Sequence, residues 1–143
     1  MSAVRYRITP IHPEAHLFEV EIDIAKPAAD GQLLSLPAWI PGSYMIREFA
    51  RHIVRIDARD GVRAVPLTKL DKHTWRAAPC DGALRVRYEV YAWDLSVRAA
   101  HLDTTHGFFN GSSVFLKVHG CEQAPCEVDI RPPAGRAYKA WRV

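Results

Sequence analysis

The sequence predicts an all-β fold, a two-layer antiparallel β-sandwich of about nine short strands with at most one short helical turn. Three observations predict it. Apolar and charged residues alternate at period two through much of the chain. No apolar stripe at helical spacing is long enough for an ordinary helix. Ten prolines and eight glycines punctuate the runs at short intervals.

Taken in order, residues 4–9 open with the first strand pattern. Phe18, Val20, Ile22 and Ile24 then alternate with Glu19, Glu21 and Asp23, giving a long half-buried strand. Residues 32–36 form a shorter one. Residues 45–50 hold the one candidate helical turn. Strands over 52–58 and 62–67 flank the turn signal Arg59-Asp60-Gly61, and 73–77 precedes a second signal, Cys80-Asp81-Gly82. Leu84, Val86, Tyr88 and Val90 alternate with Arg85, Arg87 and Glu89 in the other long strand. Residues 113–119 and 127–131 complete the set.

A chain of 143 residues, 48% of them hydrophobic, can bury a core of its own, so residues 1–143 are expected to form one domain. There is no internal repeat, linker or low-complexity stretch. Nineteen basic against sixteen acidic residues leave a net charge of +3 with the signs interleaved, which gives no basic arm for nucleic acid. No apolar run is long enough for a signal peptide or a membrane span. Cys80, Cys121 and Cys126 are odd in number and lack C-x-x-C spacing. This argues against a disulfide framework or a zinc knuckle and for a reducing, cytoplasmic setting.

Two segments do not read as plain scaffold. In the first, residues 36–44, Trp39, Pro41, Gly42, Ser43 and Tyr44 break the strand pattern. Pro41 suits the second position of a β-turn and Gly42 the third, at positive φ, so the chain reverses and presents Ser43 and Tyr44. Either Trp39 and Tyr44 plug one end of the sandwich, with Arg47 and Glu48 in surface pairs, or a rigid loop is offered to a partner domain. The second segment, residues 103–113, carries Phe108, Phe109, Asn110, Gly111 and Ser112. Read as hairpin chemistry, Asn110-Gly111 makes a type I′ reversal with Phe108 and Phe109 on opposite faces. Read as a functional loop, Asn110 and the hydroxyls contact a ligand.

Familiar catalytic constellations are missing. His12 and His16 are four apart with Glu14 between, but Pro13 follows His12 where the zinc motif H-E-x-x-H has glutamate, and no helix is expected to align the rings. His101 and His106 flank Asp103 in an expected loop and read either as part of a metal site or as ordinary histidines; no third ligand is evident, and the ordinary reading is preferred. Ser43 lies in P-G-S-Y, not in G-x-S-x-G, and no glycine-rich phosphate loop occurs. Only His119 stands near Cys121, and the three thiols read as inert. No catalytic residue and no metal ligand is assigned to this chain.

The run from Leu36 to Tyr44 continues into Met45-Ile46-Arg47-Glu48-Phe49-Ala50-Arg51. Lys69-Leu70-Asp71-Lys72-His73-Thr74-Trp75 follows, then Tyr88-Glu89-Val90-Tyr91-Ala92, Ser96-Val97-Arg98 and residues 107–113. In this order and spacing these blocks resemble the amino-terminal domain of the glycyl aminopeptidases over about residues 6–133. The W-x-P-G-S-Y-x-I-R-E-F block is long enough to be specific. The resemblance implies a parent zinc metallopeptidase of thermolysin-like type, with a catalytic H-E-x-x-H domain and a PDZ-like domain that this chain lacks. Zinc is then expected in the missing domain and no cofactor here. The implied partners are the chain's own catalytic domain and a peptide with a small amino-terminal residue. Trp39, Pro41, Gly42, Ser43, Tyr44, Phe108, Phe109, Asn110, Gly111 and Ser112 are the candidates for the pocket or the domain interface, with Asn110 the polar contact to the amine or the peptide backbone. The competing class is a stand-alone β-sandwich interaction module. An isolated fragment is also expected to self-associate through its exposed apolar surface or edge strands.

Overall fold

The period-two pattern folds as the chemistry requires. In a strand, successive side chains point to opposite faces, so one apolar residue in two suffices to build a core wall. A computed structural model describes residues 3–143. Its strands are β1 (Val4–His12), β2 (Leu17–Ile24), β3 (Leu33–Ser35), β4 (Ile53–Asp60), β5 (Arg63–Val65) and β6 (Leu67–Asp71). They continue with β7 (Thr74–Ala77), β8 (Leu84–Tyr91), β9 (Ala100–Leu102), β10 (Gly107–Phe109), β11 (Lys117–Val118) and β12 (Cys126–Ile130). Single helical turns occupy Pro13–Ala15, Phe49–His52, Gly111–Val114 (α1) and Arg136–Tyr138. Among the described residues no helix is long and apolar enough to cross a membrane.

Six strands form one sheet in the order β12-β1-β2-β8-β4-β5, four form another in the order β11-β3-β7-β6, and β9 with β10 makes a hairpin. Phe18, Val20, Ile22 and Ile24 of β2 join Leu84, Val86, Tyr88 and Val90 of β8 on the inner face of the large sheet. They share one core with Leu34, Trp75, Ala77 and Val118 of the smaller sheet. The all-β, sandwich-like prediction is borne out. On the outer face, opposite charges stand directly across the ladder: Arg85 pairs with Asp23 at 2.7 Å and Arg87 with Glu21 at 3.5 Å.

Several local expectations are corrected. Strand β12 runs parallel to β1, so the large sheet is not purely antiparallel; this register sets Arg5 opposite Glu127 and Arg7 opposite Asp129, both ion-paired. Pro66, which has no N–H to give a ladder, divides the expected strand 62–67 into β5 and the start of β6. The expected helical turn at 45–50 moves to Phe49–His52. The amides of Arg47 and Glu48 both donate to the carbonyl of Ala38 (2.7 and 3.0 Å), and Glu48 takes φ 50° before the turn begins. The expected strand 113–119 survives only as Lys117–Val118. Its first two residues close α1, and Tyr88 holds the chain from Val114 to Leu116. The buried Tyr88 hydroxyl donates to the carbonyl of Val114 (2.6 Å) and accepts the amide of Leu116 (3.0 Å), satisfying backbone groups that a strand would have paired in a ladder. Burial without a cationic partner raises the Tyr88 pKa far above the ordinary phenol range. Strands β9 and β10 appear where no strand was expected.

Because β2 and β8 are antiparallel, Leu17 and Tyr91 mark one end of the large sheet and Ile24 and Leu84 the other. Ile53 of β4 pairs with Val90. The segments preceding β4 and following β8 therefore emerge together at the Tyr91 end.

Candidate functional site

The Tyr91 end gathers both segments that the sequence singles out. Pro41-Gly42 forms the expected turn: the amide of Ser43 donates to the carbonyl of Ile40 (3.2 Å) and Gly42 takes φ +89°. A methyl added at Gly42 would meet only the Arg98 guanidinium at 3.8 Å, so glycine is favoured there by its φ and not by space. The turn is braced from within. The Trp39 indole donates to the carbonyl of Ser43 (2.9 Å), and the Ser43 hydroxyl donates to the carbonyl of Met45 (2.8 Å). Ser43 is thus turned inward, while Tyr44 is fully exposed beside the exposed Met45 and Ile46.

The second segment follows different chemistry. Asn110 has φ −90° and ψ 129°, and its side-chain oxygen accepts the amide of Ser112 (3.0 Å), which makes it the N-cap of α1. Gly111 has no positive φ, so the type I′ reading is corrected. The reversal lies earlier, at Thr104-Thr105, between β9 and β10. Phe108 and Phe109 do point to opposite faces. Phe108 stacks near His101, and Phe109 meets Phe18 and Phe115 edge-on against the core. Ser113, at the end of the segment, is buried with its hydroxyl donating to the carbonyl of Asn110 (2.7 Å), so it is turned away from any ligand.

A third segment, between β8 and β9, ties the first two together and was missed as a site element. Arg98 donates to the carbonyl of Gly42 (2.7 Å), and the amide of Asn110 donates to the carbonyl of Ala99 (2.8 Å). Arg47 approaches Asp94 at 3.8 Å. This segment adds exposed Trp93, Leu95 and Val97 to the apolar surface. Between the three segments lies a cavity of about 200 Å³ lined by Phe49, Arg51, His52, Asp94, Ala99 and Ser113, among others. Burial and the Arg51 charge hold the His52 imidazole below its usual range, so at neutral pH it is uncharged. The larger groove, about 720 Å³ around Asp60, Arg63 and Gly82, is at the opposite end of the sheet.

His12 and His16 have separate engagements. His12 lies 3.7 Å from Glu14, whereas the His16 ring nitrogen Nδ1 lies 2.6 Å from the carbonyl of Leu102. The residues of this chain do not supply the H-E-x-x-H arrangement of a peptidase zinc site, and no step through such a zinc is assigned to them.

The chain matches the Peptidase M61 N-terminal domain over residues 5–143. No sequence among curated proteins matches it. Among solved structures it is similar to an aminopeptidase N family protein from Idiomarina loihiensis, with 44% identity and a TM-score of 0.88 over 91% of this chain. It spans only 22% of that protein's length. An M1 zinc metallopeptidase from Deinococcus radiodurans is 11% identical with a TM-score of 0.40, covering 70% of this chain and 23% of that one, a likeness too weak to carry an argument.

Proposed function

The chain belongs to the Peptidase M61 N-terminal domain family, the amino-terminal domain of glycyl aminopeptidase-type peptidases, and from that membership we propose a specific role for it. It is the non-catalytic domain of a zinc aminopeptidase, packing beside the catalytic domain and helping to shape the pocket for a small amino-terminal residue. The observation that carries this reading is the ridge at the Tyr91 end. Tyr44, Met45 and Ile46 on the braced turn and Leu95 and Val97 on the Arg98-linked segment expose large apolar side chains on neighbouring, hydrogen-bonded backbone. A stiff apolar surface of this kind loses little entropy on docking, and burying it is favourable. Tyr44, with no hydrogen bond of its own among the described residues and its ring in solvent, is the side chain freest to enter a partner. Asn110, whose side-chain oxygen is occupied by its own cap, contributes by placing α1 and Ser112, with its amide nitrogen free to meet a substrate. Zinc and the attack on the peptide bond belong to the catalytic domain. The three cysteines are free, in keeping with a reducing, cytoplasmic setting.

Hydrogen exchange compares this chain with the full polypeptide of its source gene. Amides of residues 43–47 and 94–98 are expected to gain protection when the catalytic domain is attached. Equal exchange in both forms would overturn the docking face. Protection that appears in this chain alone with rising concentration would instead mark the ridge as a self-association surface.

A further inference from the structure

The β9–β10 hairpin brings together three side chains with ligand chemistry. His101 and Asp103 are two residues apart on one arm, and Phe108, opposite His101, is two residues beyond His106 on the other. A nitrogen of each imidazole and a carboxylate oxygen of Asp103 lie within 4.8 Å of one another. No third histidine or cysteine is needed once the hairpin turns Asp103 to the same face.

Independent of this proximity, His101 is only 4% exposed, and its Nδ1 is buried without a hydrogen-bond partner. An imidazole nitrogen left unsatisfied in the interior costs free energy that a native structure ordinarily avoids. The ring is held where it is. Trp93 stacks on it at 4.7 Å and Phe108 lies near-parallel at 6.2 Å. The carboxylate is held as well. Oδ1 of Asp103 accepts the amide of Thr105 (2.7 Å), the hydroxyl of Thr105 (2.7 Å) and the amide of His106 (3.0 Å), leaving Oδ2 for a ligand. His106 is exposed at the hairpin tip, its Nδ1 lying 3.0 Å from the Thr105 hydroxyl and 3.4 Å from Oδ1 of Asp103 and its ring 5.3 Å from that of His101, so an inward rotation exchanges the Thr105 contact for a ligand.

We propose that His101, Asp103 and His106 bind a divalent cation of the zinc(II) class. Two imidazole nitrogens and one carboxylate oxygen supply three ligands, and the fourth tetrahedral position stays open to water or a further ligand. Imidazole donors favour zinc over calcium or magnesium, which take oxygen ligands. Metal–nitrogen bonds of about 2.0–2.1 Å require the donors to close to about 3.4 Å, and rotation of His106 provides that movement.

The test is titration of zinc chloride into this chain after chelator treatment, with cobalt(II) absorbance as a second readout. One equivalent is expected to bind, with a tetrahedral cobalt spectrum. His106→Ala and Asp103→Asn are each expected to weaken binding at least tenfold, whereas His12→Ala, at an exposed histidine outside the cluster, leaves it unchanged. Because His101 is buried, His101→Phe keeps a ring between Trp93 and Phe108, and circular dichroism verifies its fold; it too is expected to weaken binding at least tenfold. Absence of saturable binding, or affinity indifferent to both His106→Ala and His101→Phe, would overturn the site.

Discussion

Replacing Tyr88 by phenylalanine is expected to destabilise the domain by about 3 kcal/mol, although the substitution removes a single oxygen from a well-packed ring. The phenol is fully buried and serves two backbone groups at once, the amide of Leu116 and the carbonyl of Val114. Each group left unpaired in the interior costs about 1–3 kcal/mol. For a domain of this size the midpoint of thermal unfolding should fall by roughly 10 °C. Thermal melts followed by circular dichroism measure it, and a loss below about 0.5 kcal/mol would show that the bonds to α1 are dispensable. Tyr6→Phe is the control. Its hydroxyl serves only the carbonyl of Leu116 (2.8 Å) in a half-buried place, and its pKa is pushed up to about 12, first by burial and then by the nearby Cys126 and Cys121 thiols. The smaller loss expected there separates the shared bond from ring packing.

The second large effect is functional. Tyr44→Ala in the full polypeptide of the source gene is expected to lower kcat/KM on short peptides at least tenfold, because on the proposed reading this large ring packs against the catalytic domain. In this isolated chain the same change is expected to leave stability within about 0.5 kcal/mol, since the ring is in solvent and makes no hydrogen bond. Unaltered kinetics would remove Tyr44 from the pocket. A comparable loss of stability in the isolated chain would make its role structural.

Most of the scaffold was legible in the sequence because β2 and β8 alternate strictly, and strict alternation has one structural solution when a single face is buried. The Pro41-Gly42 turn was legible for a similar reason: proline and glycine restrict or release one dihedral each, whatever the rest of the chain does. What escaped was decided by distant partners. Asn-Gly suits a type I′ turn and an N-cap equally well, and the choice is made by the Tyr88 hydroxyl, 26 residues before Val114. The direction of β12 depends on its pairing with β1, more than a hundred residues away, which no local pattern records. Ala100-His101-Leu102 has no alternation because all three residues are buried, so β9 and the hairpin that carries His101, Asp103 and His106 were invisible. The neighbourhood of the candidate loops likewise rests on Arg98 reaching Gly42 across 56 positions.

Hydrolysis of glycyl and alanyl p-nitroanilides, measured for this chain alone and for the full polypeptide of its source gene, decides whether this chain is the non-catalytic domain of a zinc aminopeptidase. Zinc-dependent turnover is expected from the full polypeptide, with glycine and alanine preferred, and none from residues 1–143 at any zinc concentration. Turnover by this chain alone, or a full polypeptide that cleaves neither substrate, would contradict that assignment.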